Sequence, residues 1–133
     1  MAIINTFEKC LESPYLFKDA TAADRIGELL AGAAKRLDAA ANIQANGGDP
    51  ADQVLFCYEA MFRCLRALVY ARGYRETGLR CLMLACETLY IKTGELDAEH
   101  LRRFELAQRL RLAPAEALEH ASAFSRRTLE LLA

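Results

Sequence analysis

Tyr58 to Tyr90 read YEAMFRCLRALVYARGYRETGLRCLMLACETLY, two helical stretches joined at Arg72-Gly73. In the first, Met61, Leu65 and Leu68 continue an apolar stripe begun by Val54 and Tyr58. Leu55, Phe56, Phe62 and Val69 cover much of the remaining circumference. A helix apolar this far round is central, with neighbours on several sides. Gly73 suits the left-handed cap that closes such a helix. Leu79, Leu82, Met83, Cys86 and Leu89 form the stripe of the second stretch.

Working outward, Ile26, Leu29, Leu30, Ala33, Leu37 and Ala41 fall on one face of an alanine-rich segment, which favours helix intrinsically. That segment ends in the turn cluster NIQANGGD. Asp49-Pro50 restarts a helix, because Asp accepts orphan N–H groups and Pro loses nothing at a first helical position. Thr93-Gly94 ends the next helix. Asp97 caps a fourth, bearing Leu101, Phe104, Ala107 and Leu110, and Ala113-Pro114 opens a last one through Leu118, Ala121, Phe124, Thr128 and Leu131. No segment alternates apolar and polar residues between turn signals, so no strand is expected. Short links make successive helices antiparallel neighbours. The expectation is an all-α protein, an up-and-down bundle of four to five antiparallel helices, in one domain over residues 1–133.

The chain has 133 residues, 53% hydrophobic and 26% charged, which is a globular composition. No apolar run is long enough to span a membrane. The N-terminal MAIINTFEKCLE has no basic region followed by an apolar core, so no signal peptide is read and the cytoplasm is the default compartment. A formal net charge of −1 excludes a uniformly basic nucleic-acid or membrane binder. It leaves room for a local basic face.

Cys10, Cys57, Cys64, Cys81 and Cys86 contain no C-x-x-C pair, and there are two histidines. The spacing fits no zinc site. Cys57, Cys64 and Cys86 fall among apolar neighbours and read as reduced core thiols. His100 and His120 read as surface residues of helices. No H-E-x-x-H, phosphate-cradling glycine loop or G-x-S-x-G is present, so no metal or cofactor is expected.

Arginine supplies 13 of the 17 basic residues. Arg63 and Arg66 are one turn apart, and Arg72, Arg75 and Arg80 surround the helix junction. Guanidinium forks match phosphate oxygens, so the cluster is a candidate phosphate site. The competing reading pairs these arginines with Glu59, Glu76 and Glu87, with Glu59–Arg63 an i,i+4 pair, and lays their stems over apolar neighbours.

The run FCYEAMFRCLRALVYARGYRE resembles the second helix of a bacterial and archaeal branch of HEPN domains, where a pattern like AYYAMFHAARALLYAKGYRE is usual. The resemblance continues through CLMLACETLY and GELDAEHLRRFELAQRLR, from about Phe7 to the C-terminus. It implies an all-helical bundle that dimerises, and in many members an RNase toxin paired with a minimal nucleotidyltransferase. Active members carry an Arg, then four to six residues, then His. That motif is absent here: positions 93–95 before His100 are Thr, Gly and Glu, and positions 113–115 before His120 are Ala, Pro and Ala. Arg111 matches the branch's motif arginine, but Glu116 stands where His or Tyr is expected. Leu79 stands where a second family histidine falls.

The resemblance leaves Tyr58, Arg66 and Arg111 of the family's polar set, and the arginine cluster at the helix junction adds Arg72, so these four are the candidate ligand-binding set. It implies a non-catalytic HEPN domain, a homodimer, that binds a nucleotide or RNA or a nucleotidyltransferase-like partner. The alternatives are an endoribonuclease using Arg111 and a structural or stress-related dimer without a ligand. Leu55 and Phe62 lie off the main stripe of their helix and are the expected apolar surface for a second subunit.

Overall fold

The computed structural model describes residues 3–133. The described residues form six α-helices: α1 (Phe7–Leu11), α2 (Ile26–Asn46), α3 (Pro50–Ala71), α4 (Leu79–Cys86), α5 (Ala98–Gln108) and α6 (Pro114–Leu132), with a 3₁₀ turn over Ala22–Arg25 leading into α2. The chain is mostly helical, as expected. Two three-residue strands were not expected: β1 (Leu16–Lys18) and β2 (Tyr74–Glu76) pair antiparallel, with Leu16 opposite Glu76 and Lys18 opposite Tyr74. Strands this short carry too few residues to display alternation, so the period-2 signal has nothing to register on.

The boundaries follow the chemistry of their residues. Asp49 Oδ1 accepts from the Ala51 amide at 2.9 Å with Pro50 at the first helical position, and Asp97 Oδ1 accepts from Glu99. Gly73 and Gly94 take positive φ, 85° and 82°, and stop their helices in the left-handed region. Leu110 does the same at φ 55° without being glycine, while the Arg111 amide donates to the Leu106 carbonyl. After Cys86 the α4 helix widens into a π-turn over Glu87–Ile91, where the Lys92 amide reaches the Glu87 carbonyl.

α3 is the centre, packed by α2, α6, α5 and α4. Its core face, Cys57, Met61, Cys64, Leu65 and Leu68, is fully buried. Gln53 meets Gln44, Glu59 meets Arg36, and Arg63 meets Gly32, so α2 runs antiparallel to α3. Gln53 also donates to the Pro114 carbonyl and Cys64 lies against Ser125 and Thr128, so α6 runs parallel to α3. Phe104 from α5 stacks on Tyr58 at 5.1 Å. Tyr90 and Leu89, at the end of the π-turn, are fastened to the C-terminal turns of α3: the Tyr90 hydroxyl donates to the Leu68 carbonyl and Arg72 donates to the Leu89 carbonyl. Among the described residues no helix is long and apolar enough to cross a membrane.

Cys57, Cys64 and Cys86 are buried free thiols, as read from their neighbours. Cys10 and Cys81 form a disulfide between α1 and α4, a pairing that 71 residues of separation hide from spacing rules. His100 departs from the expected solvated position. It is partly buried, its ring stacks on Phe124 at 5.2 Å, and its Nδ1 is enclosed without a hydrogen-bond partner. Helix α5 turns that face toward α6, which overrides the exposure usual in a first helical turn.

Candidate phosphate pocket

The arginines of α3 sort into two kinds. Arg66 extends from α3 to β2, where Nε and Nη2 donate to the two oxygens of Glu76 at 3.0 and 3.4 Å. Tyr70 Oη donates to the same carboxylate at 2.7 Å. The Arg66 guanidinium also lies 4.5 Å above the Phe62 ring. Burial, helped by the neighbouring Glu76 carboxylate, pushes the Tyr70 phenol up.

Arg63 is different. Among the described residues its one hydrogen bond goes to a backbone oxygen, Nη1 to the Glu59 carbonyl at 3.2 Å. The expected Glu59–Arg63 ion pair does not form, because Arg36 from α2 takes the Glu59 carboxylate at 3.0 Å. Gly32 is the reason Arg63 can lie across α2: a Cβ there would sit 3.0 Å from its Nε. Burial holds the Arg63 guanidinium below the usual arginine range, and Arg36 and Arg66 add to the effect while Glu59 opposes it.

Arg25, Glu28, Leu29, Arg63, Arg66 and Tyr70 line a pocket of about 220 Å³. Arg36 is outside the lining, but its charge reaches Arg63. Of these four guanidinium groups, Arg36 pairs with Glu59 and Arg66 with Glu76, while Arg25 and Arg63 have no carboxylate within ion-pair distance among the described residues, and Glu28 at the pocket offsets one of the two charges. A larger groove of about 420 Å³ between α4 and α5 balances Arg80 and Arg109 against Glu87 and Glu105, so it focuses no charge.

The structure does not gather the four residues chosen from sequence. Tyr58 and Arg66 are linked through Phe62, which meets the Tyr58 ring at 5.9 Å and carries Arg66 on its face. Burial pushes the Tyr58 phenol up, against the pull of Arg66. Arg72 is engaged elsewhere, with Glu95 at 2.9 Å, the Leu89 carbonyl at 3.2 Å and the Tyr90 ring 4.2 Å below its guanidinium. Arg111 is exposed in the α5–α6 link. That link is tied at Pro114 to Gln53 near the start of α3, and the 13 residues from Gln53 to Arg66 span about 20 Å of helix. Arg25 and Arg36 were missed. Their only sequence signal is a place on the neighbouring helical segment, which acquires meaning once that segment is known to pack antiparallel to α3.

No protein-family model, curated protein or solved structure matches this chain.

Proposed function

We propose that this chain is a non-catalytic helical domain of HEPN type that binds a phosphate group of a nucleotide or RNA in the Arg25–Arg63–Arg66 pocket. The observation that carries this reading is Arg63, a partly buried guanidinium with no carboxylate partner among the described residues, standing between Arg36 and Arg66. Arginine is held in that state at some cost in desolvation and like-charge repulsion, and a phosphate relieves both. Half-buried Tyr58 and Phe62 continue along α3 beside Arg66 and supply aromatic surface next to the phosphate, a pairing suited to nucleotides. The HEPN-like wording of α3 supports the same ligand class and implies a homodimer and a minimal nucleotidyltransferase partner. Of the two residues expected at a subunit contact, Leu55 is 44% exposed on α3 and supports the homodimer, whereas Phe62 packs on Phe104 and the core.

The non-catalytic part rests on the histidines. His100 packs its ring on Phe124, and Arg111 has Glu116 where the family motif places its acid–base residue. A titration of the protein with a 5′-phosphorylated RNA oligonucleotide, followed by NMR of the arginine Nε–H groups, tests the reading. The expected result is a shift at Arg63 and Arg66 with no cleavage of the RNA. Shifts confined to Arg111, or cleavage lost in Arg111→Ala, contradict it.

A further inference from the structure

The disulfide of Cys10 and Cys81 joins α1 to α4, with Cα atoms 5.6 Å apart. The remaining cysteines do not compete for it. Burial pushes the thiols of Cys57 and Cys64 up to about 11 and that of Cys86 up to about 12, which keeps them protonated and poor nucleophiles at neutral pH.

Helix α1 has five residues, far too few to persist alone. Besides the disulfide, its segment is held by Ile4 and Phe7 packed on the core, with Phe7 edge-on to Tyr74 at 5.3 Å, by Arg80 Nε donating to the Ile4 carbonyl at 3.0 Å, and by Thr77 Oγ1 donating to the Pro14 carbonyl at 2.9 Å. The chain then enters β1. Leu16 stands opposite Glu76, and Glu76 is the carboxylate that occupies Arg66. A continuous series of bonded and paired groups therefore runs from Cys81 through Cys10, Leu16 and Glu76 to Arg66.

We propose that the Cys10–Cys81 disulfide is a redox latch on the arginine pocket, a role that rests on the phosphate-binding reading above: closed, it holds β1 on β2 and Glu76 on Arg66; opened by a dithiol, it frees Arg66 for phosphate. In the opening step a thiolate of the dithiol attacks one sulfur of the bond, forms a mixed disulfide and expels the other cysteine as thiolate. The second thiolate of the reductant then displaces the protein sulfur. The reductant leaves as a disulfide, and its two electrons and two protons remain on Cys10 and Cys81 as thiols. Both sulfurs belong to residues almost without solvent exposure, so attack follows local opening of the N-terminal segment, the kind of short peripheral unit that opens at low free energy. A disulfide persists in an oxidising compartment and is transient in a reducing one, which supplies the signal the latch answers.

The test is NMR hydrogen exchange on the full chain, oxidised, reduced with dithiothreitol, and as the Cys10→Ser, Cys81→Ser double variant. The amides of Asp19 and Thr77 close the two ends of the β1–β2 ribbon by donating to Gly73 and Tyr15. Opening the latch speeds their exchange, and that of Arg66 Nε–H, by about tenfold or more while α3 amides stay protected. Binding of a 5′-phosphorylated RNA oligonucleotide tightens by roughly threefold to tenfold as Glu76 ceases to compete. Unchanged exchange at the ribbon or at Arg66 overturns the latch, as does binding indifferent to redox state. Equal loss of protection throughout α3 also overturns it, since the bond then holds the whole fold and not the pocket. Absence of oligonucleotide binding in every form contradicts the phosphate reading alone, and the exchange rates still decide the latch.

Discussion

Arg66 and Glu76 form a two-point ion pair across the α3–β2 junction, with the Glu76 side chain 3% exposed and that of Arg66 38% exposed. Glu76 is the one buried carboxylate among the described residues, and Tyr70 completes its coordination. The asymmetry in burial sets the cost of breaking it. Removing Glu76 strands the Tyr70 hydroxyl, whereas Arg66 can turn to water. Glu76→Ala is therefore expected to cost about 2–3 kcal/mol and Tyr70→Phe about 1 kcal/mol, measured by urea unfolding. Wild-type stability in both variants contradicts the assignment.

Arg72 serves the fold. Its bonds to Glu95 and Leu89 and its place over Tyr90 staple the end of α3 to the π-turn and the loop after it. Arg72→Ala is expected to lower stability by about 1–2 kcal/mol, allowing for its partial exposure, and to leave oligonucleotide affinity unchanged. A loss of affinity without a loss of stability reverses the assignment.

How much of this was legible in the sequence depends on the reach of each signal. Asp49-Pro50, Gly73, Thr93-Gly94, Asp97 and Ala113-Pro114 act on their own few residues, and each stands at a helix end. The partners of the arginines act across the fold. Glu59 goes to Arg36, 23 residues away, although Arg63 stands at the favoured i+4 spacing, and Arg72 finds Glu95 at the same separation. The vacancy at Arg63 that marks the pocket is thus a property of helix packing. The disulfide and the ribbon are hidden for the same reason, since each joins the N-terminal segment to residues near 75–81.

His100 makes stability depend on pH. Burial lowers its pKa from the ordinary 6.5, and Arg103 adds to the effect against Asp97. Below 6.5 the unfolded chain takes up a proton that the folded ring resists, so the unfolded state binds more protons and stability falls as pH drops from 6.5 toward the folded value. Unfolding free energies of wild type and His100→Asn, compared from pH 7.5 to 5, should differ less at the acid end. A constant difference contradicts the burial of the ring.

Leu110 holds φ 55° just past the end of α5 and is 61% exposed. A left-handed conformation costs a non-glycine residue about 1 kcal/mol, and this side chain has little packing to offset it. Leu110→Gly is expected to raise the thermal midpoint by a few degrees, and Leu110→Val to lower it. A lower midpoint for the glycine variant means the side chain is needed in a contact.

The account stands on Arg63 and Arg25 as open phosphate ligands. The most direct measurement is the salt dependence of affinity for a 5′-phosphorylated RNA oligonucleotide, wild type against the Arg25→Ala, Arg63→Ala double variant, with circular dichroism confirming the fold. The account predicts that wild-type affinity falls steeply with ionic strength. The double variant should bind at least about tenfold more weakly and lose about one to two from the slope of log affinity against log salt. Equal affinity and equal slope in the two proteins contradict it.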